Sequence, residues 1–109
     1  MTSPKRGEIW WVQLAPARGS EIQKTRPCVV LTSDIVNAHR RTVVIVPLST
    51  LPNSSPPLLV EVSSSGRRAV AVLDQIRAVS KERLLEKIGT VAGAEIAALE
   101  EGLREILEL

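Results

Sequence analysis

An arginine, several hydroxyls and a carboxylate stand at the ends of apolar runs in this chain. Together they form a set suited to holding a phosphoryl group. The segment Gly19-Ser20-Glu21-Ile22-Gln23-Lys24-Thr25-Arg26-Pro27 is polar and glycine-led, and it sets Arg26 at the mouth of the apolar run Cys28-Val29-Val30-Leu31. Pro47-Leu48-Ser49-Thr50 closes the apolar run Val43 to Val46 with hydroxyls, and Asp74-Gln75-Ile76-Arg77 interrupts a third apolar stretch with polar groups. Guanidinium and hydroxyl donors aimed at phosphate oxygens give strong, directional, charge-assisted contacts. A side chain on a loop anchored by a rigid strand is held well enough to use them.

Other chemistries lack their parts. There is no glycine-rich phosphate loop and no G-x-S-x-G elbow, and a single histidine, His39, supplies neither a triad nor an acid–base pair. One cysteine and one histidine leave no soft-ligand cluster for zinc, and no tight acidic cluster suggests magnesium, so no metal and no cofactor is expected. Cys28, among strand-forming apolar neighbours, reads as a small buried thiol.

These groups need a scaffold of about one domain, since the chain has 109 residues. A chain of that length buries roughly 65% of its unfolded surface, enough for one modest core without staples. Fourteen basic against twelve acidic residues give a net charge of +2, which fits a nucleic-acid binder without excluding other partners. Met1 to Glu8 is polar with no apolar stretch after it, and no run nears the ~20 apolar residues of a membrane span, so a cytoplasmic protein is expected.

Glu8 to Leu14 alternates around Trp10 and Trp11 and predicts a first strand. Cys28 to Leu31 predicts a second, covered on both faces, with Pro27 at its start. Thr32 to Asn37 predicts a short capped helix. Thr42 to Val46 predicts a β-branched third strand stopping at Pro47, with a loop from Pro47 to Pro57. Leu58 to Val62, Ala69 to Leu73, Ile76 to Val79 and Leu85 to Val91 predict further strands, with a turn at Ser63 to Gly66 and a brief capped turn at Ser80 to Leu84. From Gly93 on, Ile96, Leu99, Leu103, Ile106 and Leu107 fall on one helical face, with Glu95, Glu100, Glu101, Arg104 and Glu105 on the other. The fold class expected is mainly β: a small, SH3-like curled antiparallel sheet or barrel with a C-terminal amphipathic helix, whose rim gathers the three polar segments.

Four motifs occur in order: Arg6-Gly7-Glu8-Ile9-Trp10-Trp11, then Gly19-Ser20-Glu21 with Thr25-Arg26-Pro27, then Pro47-Leu48-Ser49-Thr50, then Leu73-Asp74-Gln75-Ile76-Arg77. With these motifs the chain resembles the MazF/PemK-type endoribonuclease toxins of type II toxin–antitoxin pairs, from about Lys5 through the C-terminal helix, so that residues 1–109 form one toxin domain. The resemblance implies a homodimeric mRNA interferase that cuts single-stranded RNA sequence-specifically and without a metal. The ribose 2′-hydroxyl attacks the adjacent phosphate, leaving 2′,3′-cyclic phosphate and 5′-hydroxyl ends. It implies neutralisation by a cognate antitoxin, contact with DNA only through the antitoxin complex, and no membrane association. Carried onto matching positions, Arg26 and Thr50 form the catalytic pair with Ser20 beside them, and Glu21, Gln23, Lys24, Ser49, Asp74, Gln75 and Arg77 contact RNA. One branch of the family has an arginine two residues before the aspartate; this chain has Val72 there, which moves weight onto Arg26. An arginine stays protonated at neutral pH, so Arg26 suits charge stabilisation or proton donation rather than the general base.

Each residue also has a structural reading. Arg26 could pair with Glu21 or Glu8; Thr50 and Ser20 could cap their own turns. Asp74-Gln75 could mark a bulge, and Arg77 a solvent-facing residue or local ion pair. His39-Arg40-Arg41 reads as a solvated turn before a phosphate-contacting patch. Trp10 and Trp11 point to opposite faces, one into the core and one toward a partner or a base. The competing functions are a non-catalytic RNA- or partner-binding barrel, and a gyrase-targeting toxin on the same fold.

Overall fold

The computed structural model describes residues 3–50, 55–64 and 66–109. The strands are β1 (Glu8–Gln13), β2 (Thr25–Val30), β3 (Thr42–Ser49), β4 (Leu59–Ser64), β5 (Arg67–Val72), β6 (Arg77–Ser80) and β7 (Leu84–Thr90). Helix α1 (Asp34–His39) joins β2 to β3, α2 (Gly93–Leu107) ends the chain, and short 3-10 turns at Leu73–Gln75 and Lys81–Arg83 flank β6. All strand pairs are antiparallel, in the order β4-β5-β3-β2-β1-β7, with β6 also on β3. The outermost strands, β4 and β7, touch, so the sheet curls on itself as the short, turn-separated strands predict.

The curl encloses two apolar clusters, one on each sheet face. Along β2, Val29 packs with Ile9, Val46, Leu48, Ala71, Leu73 and Leu99 on the side covered by α2. Its neighbours Cys28 and Val30 pack with Val12, Leu14, Val43, Ile45 and Val79 on the other side, under Trp10, Ile22 and Leu84. An unbroken apolar run covered on both faces is what a central strand requires. Trp10 lies against this second cluster and Trp11 is exposed, the division expected of consecutive strand residues.

Several boundaries differ from the sequence expectation: β5 runs from Arg67 to Val72, β6 and β7 are each shifted by one residue, and three further differences have a clear physical cause. β3 does not stop at Pro47 but runs on to Ser49. The Leu31 N–H donates to the Val44 carbonyl, so alternation makes Cys28–Pro47 a non-hydrogen-bonded pair and turns the proline nitrogen to the opposite edge. On that edge the pairs with β6 end at Ile45 and those with β5 begin at Leu48, so Pro47 occupies the gap and no ladder bond is lost. β2 likewise begins at Thr25, ahead of Pro27, which sits opposite Trp11 outside the β2–β3 ladder. β4 extends to Ser64 because Ser63 and Ser64 pair with Arg68 and Arg67; of the expected turn, Ser65 lies outside the described residues, as does Leu51 to Ser54 of the expected loop. The short helix forms where capping predicts it, with Ser33 Oγ accepting from Val36 N.

Glu95 is not simply solvated. One of its oxygens accepts from Ala92 N at 2.9 Å, capping α2, and the other from Ser63 N at 2.7 Å, tying the helix to β4. Glu100 pairs with Arg6. Farther along α2, Gly102 is buried against the turn that carries Asp74 and Gln75. A methyl there would collide with Leu73 Cδ1 and stand 3.0 Å from the Pro57 carbonyl oxygen. Gly102→Ala is therefore expected to destabilise the protein by about 1–3 kcal/mol despite alanine's better helix propensity. Urea denaturation checks this, and a midpoint at or above wild type would refute the tight contact.

Glu8 organises the start of β1. Its carboxylate accepts from Lys5 N at 2.8 Å and Trp10 Nε1 at 3.0 Å, and lies 3.1 Å from Lys87 Nζ on β7. Burial pushes this carboxyl up, but the bonds from Lys5, Trp10 and Lys87 outweigh it and hold it below its ordinary 4.5. A depressed carboxyl contributes stability above its unfolded value and loses it as pH falls. Stability should decline as pH drops below about 4.5, and Glu8→Gln should flatten that acid limb in denaturation midpoints taken from pH 3 to 6.

Candidate functional site

Strand parity places the candidate residues. Arg26 sits opposite Val12 and two residues from Cys28, so it shares the sheet face of the second cluster. On β3, Pro47 opposite Cys28 has the same orientation, and Ser49 follows two residues on. On β6, Arg77 pairs with Ile45 and precedes Val79 by two, which again gives that face. Arg26, Ser49 and Arg77 thus belong to one face of three adjacent strands. Thr50 follows Ser49 immediately, exposed at the strand mouth.

The loop before β2 is built from local turns. Glu21 Oε1 accepts from Arg18 N at 2.7 Å, and Glu21 N donates to the Arg18 carbonyl at 3.1 Å. Gly19 between them has φ 59°, a conformation favouring glycine. Leu14 N donates to the Lys24 carbonyl at 2.9 Å, closing the base of the loop. Ile22 turns its side chain into the second cluster, and its N–H donates to Gln75 Oε1 at 3.2 Å. That bond joins the first polar segment to the third, the convergence expected of a curled sheet. Ser20, Glu21, Gln23 and Lys24 remain exposed along the loop, and Asp74 is exposed on the turn. Among the described residues no hydrogen bond links Arg26, Thr50 and Ser20 to one another.

Among the described residues the charges on this face are unpaired. Arg26 does not take up the structural role that Glu21 or Glu8 could have offered: Glu21 closes its own turn and Glu8 binds Trp10 and Lys87. Arg77 is neither solvent-facing nor in a local ion pair. It is half-buried, and its Nη1 is shielded from solvent with no hydrogen-bond partner among the described residues. The signal for this was legible, since Arg77 and Val79 are two apart and a strand puts both on one side. Four cations among the described residues are half-buried: Arg26, Arg77, Lys81 and Arg83. Lys81 binds Ser3 Oγ and the Asn37 carbonyl, and Arg83 binds the carbonyls of Gln13 and Ala15. Arg26 and Arg77 have no such partners among the described residues. Between them lies Cys28, whose thiol burial pushes up to about 12, with Arg77 and then Arg26 opposing the rise through their charge. A thiol so far above neutral is inert, as its apolar neighbours predict.

Gln75 is the tie between two polar segments that sequence reading treats as an RNA contact. Gln75→Leu should free the Ile22 amide, seen as faster hydrogen exchange at Ile22 than in wild type, while the exchange of Val29 and Val46 is unchanged. Equal protection at Ile22 would show that the bond does not hold the loop.

A curled antiparallel sheet, closed by a C-terminal helix and carrying Arg26, Ser49 and Arg77 on one face, defines a small β-barrel protein. The sequence pattern of the PemK-like, MazF-like toxins of type II toxin–antitoxin systems matches residues 5–107, and the chain belongs to that family. It is 40% identical over 114 residues to Endoribonuclease MazF9 of Mycobacterium tuberculosis (strain ATCC 25618 / H37Rv), covering 96% of this chain and 97% of that protein. It is 30% identical over 110 residues to Endoribonuclease EndoA of Bacillus subtilis (strain 168), covering 96% and 95%. Among solved structures, MazF from Deinococcus radiodurans superposes with a TM-score of 0.87 at 21% identity over 98% of each chain. A mycobacterial endoribonuclease in complex with its cognate antitoxin gives 0.81 at 24% identity, over 98% of this chain and 97% of that one. These two likenesses establish the shared fold. No helix among the described residues is long and apolar enough to cross a membrane.

Proposed function

We propose that the chain is a sequence-specific endoribonuclease toxin that cleaves single-stranded RNA without a metal. The observation that carries this reading is Arg26, half-buried without a carboxylate partner among the described residues, on the sheet face that ends in Ser49, with Thr50 next along the chain. Family membership and the endoribonuclease relatives supply the substrate class.

In this reading the substrate's 2′-oxygen forms a bond to the adjacent phosphorus as the bond to the 5′-oxygen breaks. The products are a 2′,3′-cyclic phosphate and a 5′-hydroxyl, and no water is consumed. Negative charge builds on the non-bridging oxygens, where Arg26 and the Thr50 hydroxyl donate and Ser20 assists from the loop. The 2′-hydroxyl loses its proton to solvent and the leaving 5′-oxygen gains one from it, while the protonated guanidinium hydrogen-bonds to the leaving oxygen and does not accept the 2′-hydroxyl proton. Glu21, Gln23, Lys24, Ser49, Asp74, Gln75 and Arg77 line the path of the RNA, the carboxylates and amides reading base edges and the cations following phosphates.

The partners follow from the same reading. The toxin acts as a homodimer in the cytoplasm. A cognate antitoxin neutralises it by laying an acidic segment over the cationic rim, and DNA is met only through that complex. The antitoxin complex of a structural neighbour supports this partner class.

The test is cleavage of a long, varied single-stranded RNA in EDTA, with a 2′-deoxy copy and the Arg26→Ala and Thr50→Ala variants. Wild type should cut the RNA and leave the deoxy copy intact, and each variant should lose roughly 10²–10³-fold in rate. Cleavage of the deoxy copy would overturn the 2′-hydroxyl mechanism. Intact RNA with wild-type protein would favour a silent barrel, and gyrase-dependent cleavage of plasmid DNA would favour a gyrase poison.

A further inference from the structure

We propose that Arg77 is a second guanidinium on the scissile phosphate, closing from β6 on the anion that Arg26 meets from β2. This rests on the endoribonuclease reading and goes beyond a general RNA contact, because it assigns Arg77 to the reacting group.

The placement comes from the register. Arg77, Ile45 and Val30 form one row across β6, β3 and β2, and Arg26 lies four residues along β2 from Val30. Cys28 sits between, two residues from each, on the same face. Both guanidiniums lie near enough to the Cys28 thiol to act on it through their charge. A structural arginine at such a place would be expected to hold a carboxylate or carbonyls, as Arg83 does with Gln13 and Ala15. Arg77 instead leaves Nη1 out of water and without a partner among the described residues. A desolvated cationic donor left unsatisfied, with a second unpaired cation on the same face, is a costly arrangement for the folded protein alone. An anion seated between the two relieves both the missing hydrogen bond and the repulsion. Phosphate, with oxygens on several sides, accepts from two guanidiniums at once.

The surroundings favour the same assignment. Gln75, two residues before Arg77, holds the β1–β2 loop through Ile22 N, so the wall carrying Arg77 and the loop leading to Arg26 are one connected unit. Ser49 opens the strand mouth on the same face, and Thr50 follows it. In the transition state the non-bridging oxygens carry more charge than in the bound substrate, so a donor already in place lowers the barrier more than it tightens binding.

Single-turnover cleavage of an RNA with a defined cut site tests this, using wild type, Arg77→Ala, Arg77→Gln and Arg77→Lys. Each variant's fold is checked by thermal melting. Arg77→Ala and Arg77→Gln are expected to lose 10²-fold or more in kcat with a smaller rise in KM, and Arg77→Lys to recover part of the loss. Replacing one non-bridging oxygen of the scissile phosphate by sulfur, a weaker acceptor, adds a readout that a structural role does not move. Wild type should be slowed by one of the two phosphorothioate diastereomers, and the folded Arg77→Gln protein should lose that discrimination. Folded variants that cut at the wild-type rate would overturn the assignment, as would slow variants that keep the full diastereomer preference. If Arg77→Ala does not fold, the glutamine and lysine variants decide. Wild-type protein that leaves RNA intact sinks the endoribonuclease reading itself, whereas active wild type with unimpaired Arg77 variants sinks this assignment alone.

Discussion

The structure turns on β3 changing neighbours along one edge. Its first half pairs with β6 and its last residues with β5, while β2 runs along the opposite edge between them. One strand therefore serves two sheet segments, and the handover falls at Pro47, the residue with no hydrogen to donate. A residue with an N–H at that position would bring an extra donor needing a partner in the gap between β6 and β5. The proline removes the need, and the strand passes through the handover with no orphaned N–H at that position. The curl, the meeting of β4 with β7, and the gathering of Arg26, Ser49 and Arg77 on one face all follow from this arrangement.

The charges separate by what they are asked to do. Cations that brace the fold have partners: Arg6 with Glu100 between the N-terminal segment and α2, Lys87 with Glu8 between β7 and β1, and Arg83 with two carbonyls after β1. The half-buried pair on the second sheet face has none among the described residues. Leaving them unpaired forgoes stability in the free protein and keeps a positive field for a ligand, the usual exchange at a binding site.

Much of this could be read from residue types. The β-rich order, the capped α1, the amphipathic α2 and the central strand covered on both faces follow from periodicities and caps that act within a few residues. What could not be read depended on partners distant in sequence. β3 was expected to end at Pro47 because a proline normally ends a central strand, and only the change of neighbours on its far edge lets it pass. Glu95 was placed with the solvated face of α2, yet one of its oxygens caps the helix and the other holds Ser63 on β4. Arg77 was the instructive case: its spacing from Val79 pointed inward, but its charge argued for solvent. The register with Ile45 decides between them. Of the candidate site, the strand-borne Arg26, Ser49 and Arg77 gather on one face, whereas Ser20, Gln23 and Lys24 lie along an exposed loop that leads into β2 and is tied to the turn before Arg77 by the Gln75 bond.

That contrast divides the site physically. Arg26 and Arg77 grow from strands whose backbones are paired and whose same-face neighbours Val12, Cys28, Ile45 and Val79 are buried, so their backbone positions are fixed before any ligand arrives. The loop ahead of β2 is held at its base, at Ala15 by Arg83, at the Arg18–Glu21 turn and at Ile22, and presents its other polar side chains to solvent. Stabilising a charged transition state needs preorganisation, because any reorganisation at the moment of reaction is paid from the barrier reduction. Recognising flexible, unstacked bases needs the opposite, side chains able to adjust around several edges. A rim in which strands carry the cations and a lightly tethered loop carries the readers satisfies both demands in one small barrel. It also leaves the loop free to vary in sequence without moving the charges that do the chemistry.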